Sequence, residues 1–158
     1  MVDESPGMGA PPSTLGGYVM GSIPDHPSPE GTLISSLTPP SAFPGSGSLG
    51  FTTQVEHLRV GSLWQTWSHG YAGSVYFEDQ YELQLTLPQD TLAFYLYIQP
   101  DLVGTFEFTV ESAAVATSLS IQGDGGAKYV GFFTDDPGDP LAYVSIHQTT
   151  GTSEGMAV

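Results

Sequence analysis

A chain of 158 residues fits one domain with an appendage. Its 17 acidic residues face two basic ones, Arg59 and Lys128, and a net charge of -15 argues against nucleic acid or an anionic membrane surface as a partner, because both demand clustered Lys and Arg. Cysteine is absent, so no disulfide or thiolate metal site holds the fold and stability must come from apolar burial.

Two cations cannot neutralise this many carboxylates, so the acidity is solvated, metal-bound or matched by a basic partner. No stretch approaches the roughly 18 apolar residues of a membrane-spanning helix. The opening MVDESPGMGAPPSTLGG has neither a basic nor an apolar leader region. The chain is therefore expected to act where it is made, or to have lost a signal.

In chain order, composition breaks near residue 50. Residues 1–50 hold 9 of the 13 prolines and 9 of the 20 glycines, with four acids and no base. Prolines at 24, 27, 29, 39, 40 and 44 exclude helix and favour extended or polyproline II backbone. Apolar residues are sparse, too few to offset conformational entropy alone. The plain reading is a disordered leader. The favoured one is an extended arm along a partner subunit, with Tyr18, Ile23, Leu33, Ile34 and Phe43 filling the partner's grooves.

Residues 51–158 read as short strands between turns, at 51–60, 73–77, 81–87, 92–98, 105–111, 115–121, 128–134 and 141–147, with a last short piece at 155–158. In 81–87 the alternation turns Tyr81, Leu83, Leu85 and Leu87 inward. Segment 92–98 is apolar on both faces and reads as a central strand. Phe106, Phe108 and Val110 face inward, as do Val115, Leu119 and Ile121. No window carries helical periodicity. The expected fold is all-β, a two-sheet sandwich of jelly-roll type with the Pro/Gly-rich arm before it.

The run Trp64-Gln-Thr-Trp67-Ser68-His69-Gly70-Tyr71-Ala-Gly73-Ser-Val75-Tyr76 is the most distinctive stretch. It resembles a W-x-x-W-S-H-G-Y-x-G-x-V-Y pattern of β-rich domains in bacterial secreted and surface-anchored proteins. The likeness continues through residues 91–100, Phe106 and Phe108, 123–136 and the terminal GMAV. It covers the β domain and none of the arm, and it implies fold more than activity. Relatives run on into a sorting tail and begin with a signal peptide. Lacking both, this chain is expected to reuse the domain in a non-secreted setting, such as a bacteriophage virion protein assembled in the host cytoplasm. An arm plus a small β-sandwich suits a capsid cement or decoration protein by analogy of plan.

Catalytic chemistry finds little footing. Ser68 and His69 are adjacent, and neighbours on a strand point to opposite faces. His69 reads as a turn residue bonding backbone. With so many acids, some pair of carboxylates always lies close, which says nothing of glycosidase chemistry. Asp135, Asp136 and Asp139 share one Pro/Gly loop that reads first as turn chemistry. Hard oxygen ligands for Ca2+ are the alternative. The four histidines lack zinc-binding spacing. His57 offers no clear chemistry. Trp64, Trp67, Tyr71 and Tyr76 belong either to a core or subunit contact or to a sugar-stacking platform.

The expected function is that of a non-enzymatic structural protein of a larger assembly, most concretely a phage decoration protein. It would dock through its arm on other protein subunits and stand as one of several copies. No cofactor beyond a possible Ca2+ is called for. The alternative is a secreted or cell-surface carbohydrate-binding or adhesive module.

Overall fold

The computed structural model describes residues 1–113, 115–151 and 153–158. It is all-β, with no helix among the described residues. The strands are β1 (Val2–Asp3), β2 (Thr14–Leu15), β3 (Tyr18–Val19), β4 (Leu33–Leu37), β5 (Leu49–Arg59), β6 (Ser74–Glu78) and β7 (Glu82–Thr86). They continue with β8 (Ala93–Pro100), β9 (Thr105–Ser112), β10 (Val115–Gln122), β11 (Lys128–Phe133), β12 (Tyr143–Thr150) and β13 (Met156–Ala157).

One large antiparallel sheet runs β1-β11-β8-β13-β6-β5-β7-β12-β9-β10, with β4 added on β5. β2 and β3 form a small second sheet. The large sheet nearly closes on itself. Glu4, just past β1, accepts a hydrogen bond from Thr117 on β10, and Lys128 Nζ of β11 reaches Ser120 O of β10 at 3.4 Å.

Alternating sequence makes the strands and sorts their faces. Leu83, Leu85 and Leu87 are buried, as are Phe106, Phe108, Val110, Leu119 and Ile121. They share the main core with Leu49, Phe51, Val55, Leu96, Ile98, Val144 and Ile146. Tyr81 departs from the pattern. It lies just before β7 and is 47% exposed. Segment 92–98, expected as a central strand, has β11 along one edge, while β13 pairs with β8 at Gln99 and Pro100, beyond that segment. Its Leu96 and Ile98 enter the main core, and Tyr97 packs with Tyr129 and Ala127 on the other side.

Residues 1–50 are part of this fold. The expected arm along a partner instead lies along its own sheet, and the composition break near residue 50 falls inside β5. Val2 and Asp3 pair with Phe132 and Gly131, and the amino terminus donates to Phe133 O at 2.6 Å. β4 pairs with β5, Ile34 opposite Val55 and Leu37 opposite Leu49. Leu15, Ile34 and Leu37 are buried. Gly16, at φ +60, lies so close over Phe133 that a Cβ would sit 2.2 Å from the ring. The physical reason is simple: sparse apolar residues on an extended chain find an adjacent strand edge and a core within reach of their own sequence.

Replacing Ile34 with alanine should therefore cost about 2–4 kcal/mol of stability in urea unfolding, as for a core site. Leu33→Ala, one residue away and 57% exposed, should stay within about 0.5 kcal/mol.

Candidate functional site

The loop from 61 to 73 joins β5 to β6 and folds over their outer face. Trp64 anchors it, packed with Leu58, Val75 and Ala157. Its Nε1 donates to Gln99 Oε1 at 3.2 Å. Gln99 in turn donates to Thr66 Oγ1 and Gly123 O, both at 2.6 Å. With 7% of its surface exposed, Trp64 is a structural clamp and offers no face to a ligand.

The other three aromatics of that run take a different position. Trp67, Tyr71 and Tyr76 line a groove of about 670 Å³ between the sheet and the N-terminal segment. Ala93 to Tyr97 of β8, residues 18–23 and Phe43 also line it. Val158, Asp90 and Thr91 complete the lining. Of the residues expected to meet a partner, Tyr18, Ile23 and Phe43 thus build the groove, Ile34 lies in the core, and Leu33 is exposed outside it.

Three of the five phenols that line the groove are bonded to carbonyls of this chain. Tyr71 OH donates to Ser74 O at 2.8 Å. Tyr97 OH donates to Gly9 O at 2.6 Å, and Tyr18 OH to Thr134 O at 3.0 Å. Burial pushes the hydroxyls of Tyr71, Tyr76 and Tyr97 up to about 12, so they remain donors at any physiological pH.

His69 sits at the rim with φ 46. Its ring lies 4.8 Å from that of Tyr97, and the resulting desolvation lowers its pKa. The argument that Ser68 and His69 point apart fails here, since residue 69 is left-handed turn and not strand. Ser68 Oγ lies 3.1 Å from His69 Nδ1. His69 is a turn residue, but its partner is that side chain.

Sequence reasoning missed a network under the groove, where His57 is fully buried. His57 Nδ1 is 3.3 Å from Pro29 O, an atom that can only accept, so Nδ1 carries the proton. Nε2 then accepts from Ser74 Oγ at 2.9 Å, and Ser74 Oγ accepts the His26 N–H at 3.2 Å. Asp25 accepts the Ser74 N–H at 3.0 Å and Arg59 Nη1 at 3.1 Å. Glu30 accepts the Arg59 N–H at 2.7 Å and Ser62 Oγ at 2.9 Å. The serine and histidine carry the residue types of a nucleophile and base. Here a main-chain carbonyl, not a carboxylate, orients the ring, and the network ties residues 25–30 to β5 and β6. A histidine beside no motif carries no signal that could have revealed this.

Asp135, Asp136 and Asp139 are exposed. Asp136 Oδ1 accepts the Gly138 N–H at 2.8 Å, and the Asp139 N–H bonds Asp136 O at 3.0 Å. These are the bonds of a tight turn. Among the described residues no three His, Cys, Asp or Glu side chains gather as a metal-holding group.

Fold and site together define a class: an all-β protein on one large, nearly closed antiparallel sheet, with an aromatic groove walled by its own N-terminal segment. Comparisons with known protein families, with characterised proteins and with solved structures find no match to this chain.

The Asp25 carboxyl is held below its ordinary value of 3.8, first by the Ser74 N–H, with Arg59 assisting against partial desolvation. A depressed folded pKa gives stability that is complete above the unfolded value and lost as pH falls through the folded one. Acid unfolding of the native chain should therefore include a component below pH 3.8 that Asp25→Asn lacks, read from urea midpoints across that range. Ser74→Ala leaves His57 Nε2 and the His26 N–H without partners, and should cost about 1–3 kcal/mol, with faster amide exchange in residues 25–31.

Proposed function

We propose that this chain is a non-enzymatic structural protein of a larger assembly that holds a segment of a partner protein in its aromatic groove. The observation that carries the reading is the groove's chemistry. Its surface is apolar and aromatic, while the hydroxyls of Tyr18, Tyr71 and Tyr97 are committed to carbonyls of this chain. Such a wall suits apolar side chains, and its volume is within the range of ligand sites. A phage virion decoration protein, assembled in the host cytoplasm, is the concrete form. The N-terminal segment then acts by building the receptor and does not dock itself. The acidic surface keeps copies apart and soluble, at -15 per chain. The fold reading that accompanies this is the two-sheet, jelly-roll-like sandwich, supported by long antiparallel strands on both sides of one core.

The second reading is an extracellular or cell-surface carbohydrate-binding module. Trp67 and Tyr71 favour it: both are half-buried, 6.3 Å apart, and lie at the groove beside His69.

The neutral dye Nile red tests the groove. It should bind the full chain and change the fluorescence of Trp67 in a Trp64→Phe background. Ala93→Trp, which fills the groove, should weaken binding by about tenfold or more with stability changed by less than about 1 kcal/mol. Dye binding untouched by that substitution sinks the proposal. Displacement of the dye by soluble glycans and not by apolar peptides moves the conclusion to the second reading.

A further inference from the structure

The groove is also a slot in the sheet, and its geometry selects the form of whatever enters. β8 has β11 on one side along Ala93 to Ile98, Phe94 opposite Phe132 and Ile98 opposite Lys128. On its other side β13 pairs only at Gln99 and Pro100. The direction of each backbone group follows from the neighbours. The N–H groups of Tyr129 and Phe133 point away from β8, to Gly7 O and Met1 O, and Thr134 N–H points back to Leu92 O. In an antiparallel pair the N–H and C=O of one residue share a side. Phe94, Leu96 and Ile98 therefore bond β11, while Ala93, Tyr95 and Tyr97 aim theirs into the slot.

Among the described residues those of Ala93, Tyr95 and Tyr97 have no backbone partner. Tyr97 is only 7% exposed, and Ala93 and Tyr95 are half-buried. Sheltered and unpaired backbone groups are costly, and they are a template for another strand. The facing edge is closed by contrast. Tyr76 exchanges both bonds with Val158, at 2.9 and 3.0 Å. Beyond it, Ser74 N–H is bonded by Asp25 and Ser74 C=O by Tyr71.

We propose that the β8 edge receives an extended segment of a partner protein as an added strand, antiparallel to β8 and in line with β13. This rests on the reading of the groove as a partner-binding site. β13 sets the register, with Met156 opposite Pro100 and Ala157 opposite Gln99, so the added strand begins beside Val158 and runs toward Ala93. About five or six residues, roughly 17–20 Å, cover the edge. Both faces of that strand meet apolar walls. One set of side chains joins Phe94 and Leu96 at the main core, and the other joins Tyr95, Tyr97 and Trp67. The segment is thus apolar at every position, with main-chain bonds for affinity and pockets for selection. A second copy is disfavoured, since two chains of -15 repel. A sugar cannot match the strand-spaced donors and acceptors.

The test uses the full chain and two synthetic peptides. One alternates valine and phenylalanine over six positions with a lysine tail for solubility. The other is identical but N-methylated at the positions that would face β8. The first should slow amide exchange at Tyr95 and Tyr97 by about a hundredfold, and the second should bind about tenfold more weakly or worse. Tyr95→Pro removes one edge donor and should weaken the first peptide. Equal affinity of the two peptides, with exchange unchanged, overturns the added strand and leaves the groove reading standing. Loss of Nile red binding to the unaltered chain overturns the groove reading itself. Protection of Tyr95 and Tyr97 that rises with concentration of the chain alone assigns the edge to a second copy and overturns the partner.

Discussion

Everything at the site depends on the short strand β13. Met156 and Ala157 have no exposed surface and bridge β6 to β8. Where they pair, the sheet is continuous and both its faces are covered. One pair further on, Val158 still bonds Tyr76, but among the described residues β8 has no strand on that side. Two strands held together at one end and parted at the other must enclose a gap. The gap is apolar because it opens from the main core, through Phe94, Leu96 and Tyr76.

The remaining wall comes from the segment with the least intrinsic structure. Residues 18–23 cannot form a stable element alone, having few apolar groups and no regular pattern. They are held by what flanks them. β1 pairs with β11 ahead of them, the Asp25, Ser74 and His57 network fixes residues 25–30 behind them, and β4 completes the attachment on β5. Without disulfides, this wall rests on hydrogen bonds and on a few buried side chains such as Leu15 and Ile34. Arg59 holds one junction by pairing with Asp25 at 3.1 Å. That pair is exposed, 40% and 48% for the two side chains, so its Coulombic share is small. The buried bonds of Ser74 and His57 matter more.

Parts of the site were legible in the sequence and parts were not. The Trp64 to Tyr76 run stood out by composition, and three of its four aromatics do line the groove. That Trp64 is a buried clamp could not be read, because it follows from Gln99, 35 positions away, meeting its indole N–H. His57 carried no motif, yet it lies at the centre of the buried network, since β5 and β6 pairing brings Ser74 to it and the Gly31 N–H bond to His57 O brings Pro29. Ser68 and His69 were misjudged because strand alternation was applied to a residue whose φ is 46.

The sequence by itself determined the class of fold and most of the core. Period-two alternation decides which side of a pleated strand is apolar whatever its neighbours are, so Leu83, Leu85, Phe106, Phe108, Leu119 and Ile121 were identifiable locally. It also determined the acidity, -15 per chain. Tertiary structure decided the fate of the N-terminal segment, the separation of Trp64 from Trp67, and the open edge of β8. Each of these depends on which strand lies next to which. Pairing is chosen by long-range closure of the sheet and not by the residues of any one strand, so no local pattern records it.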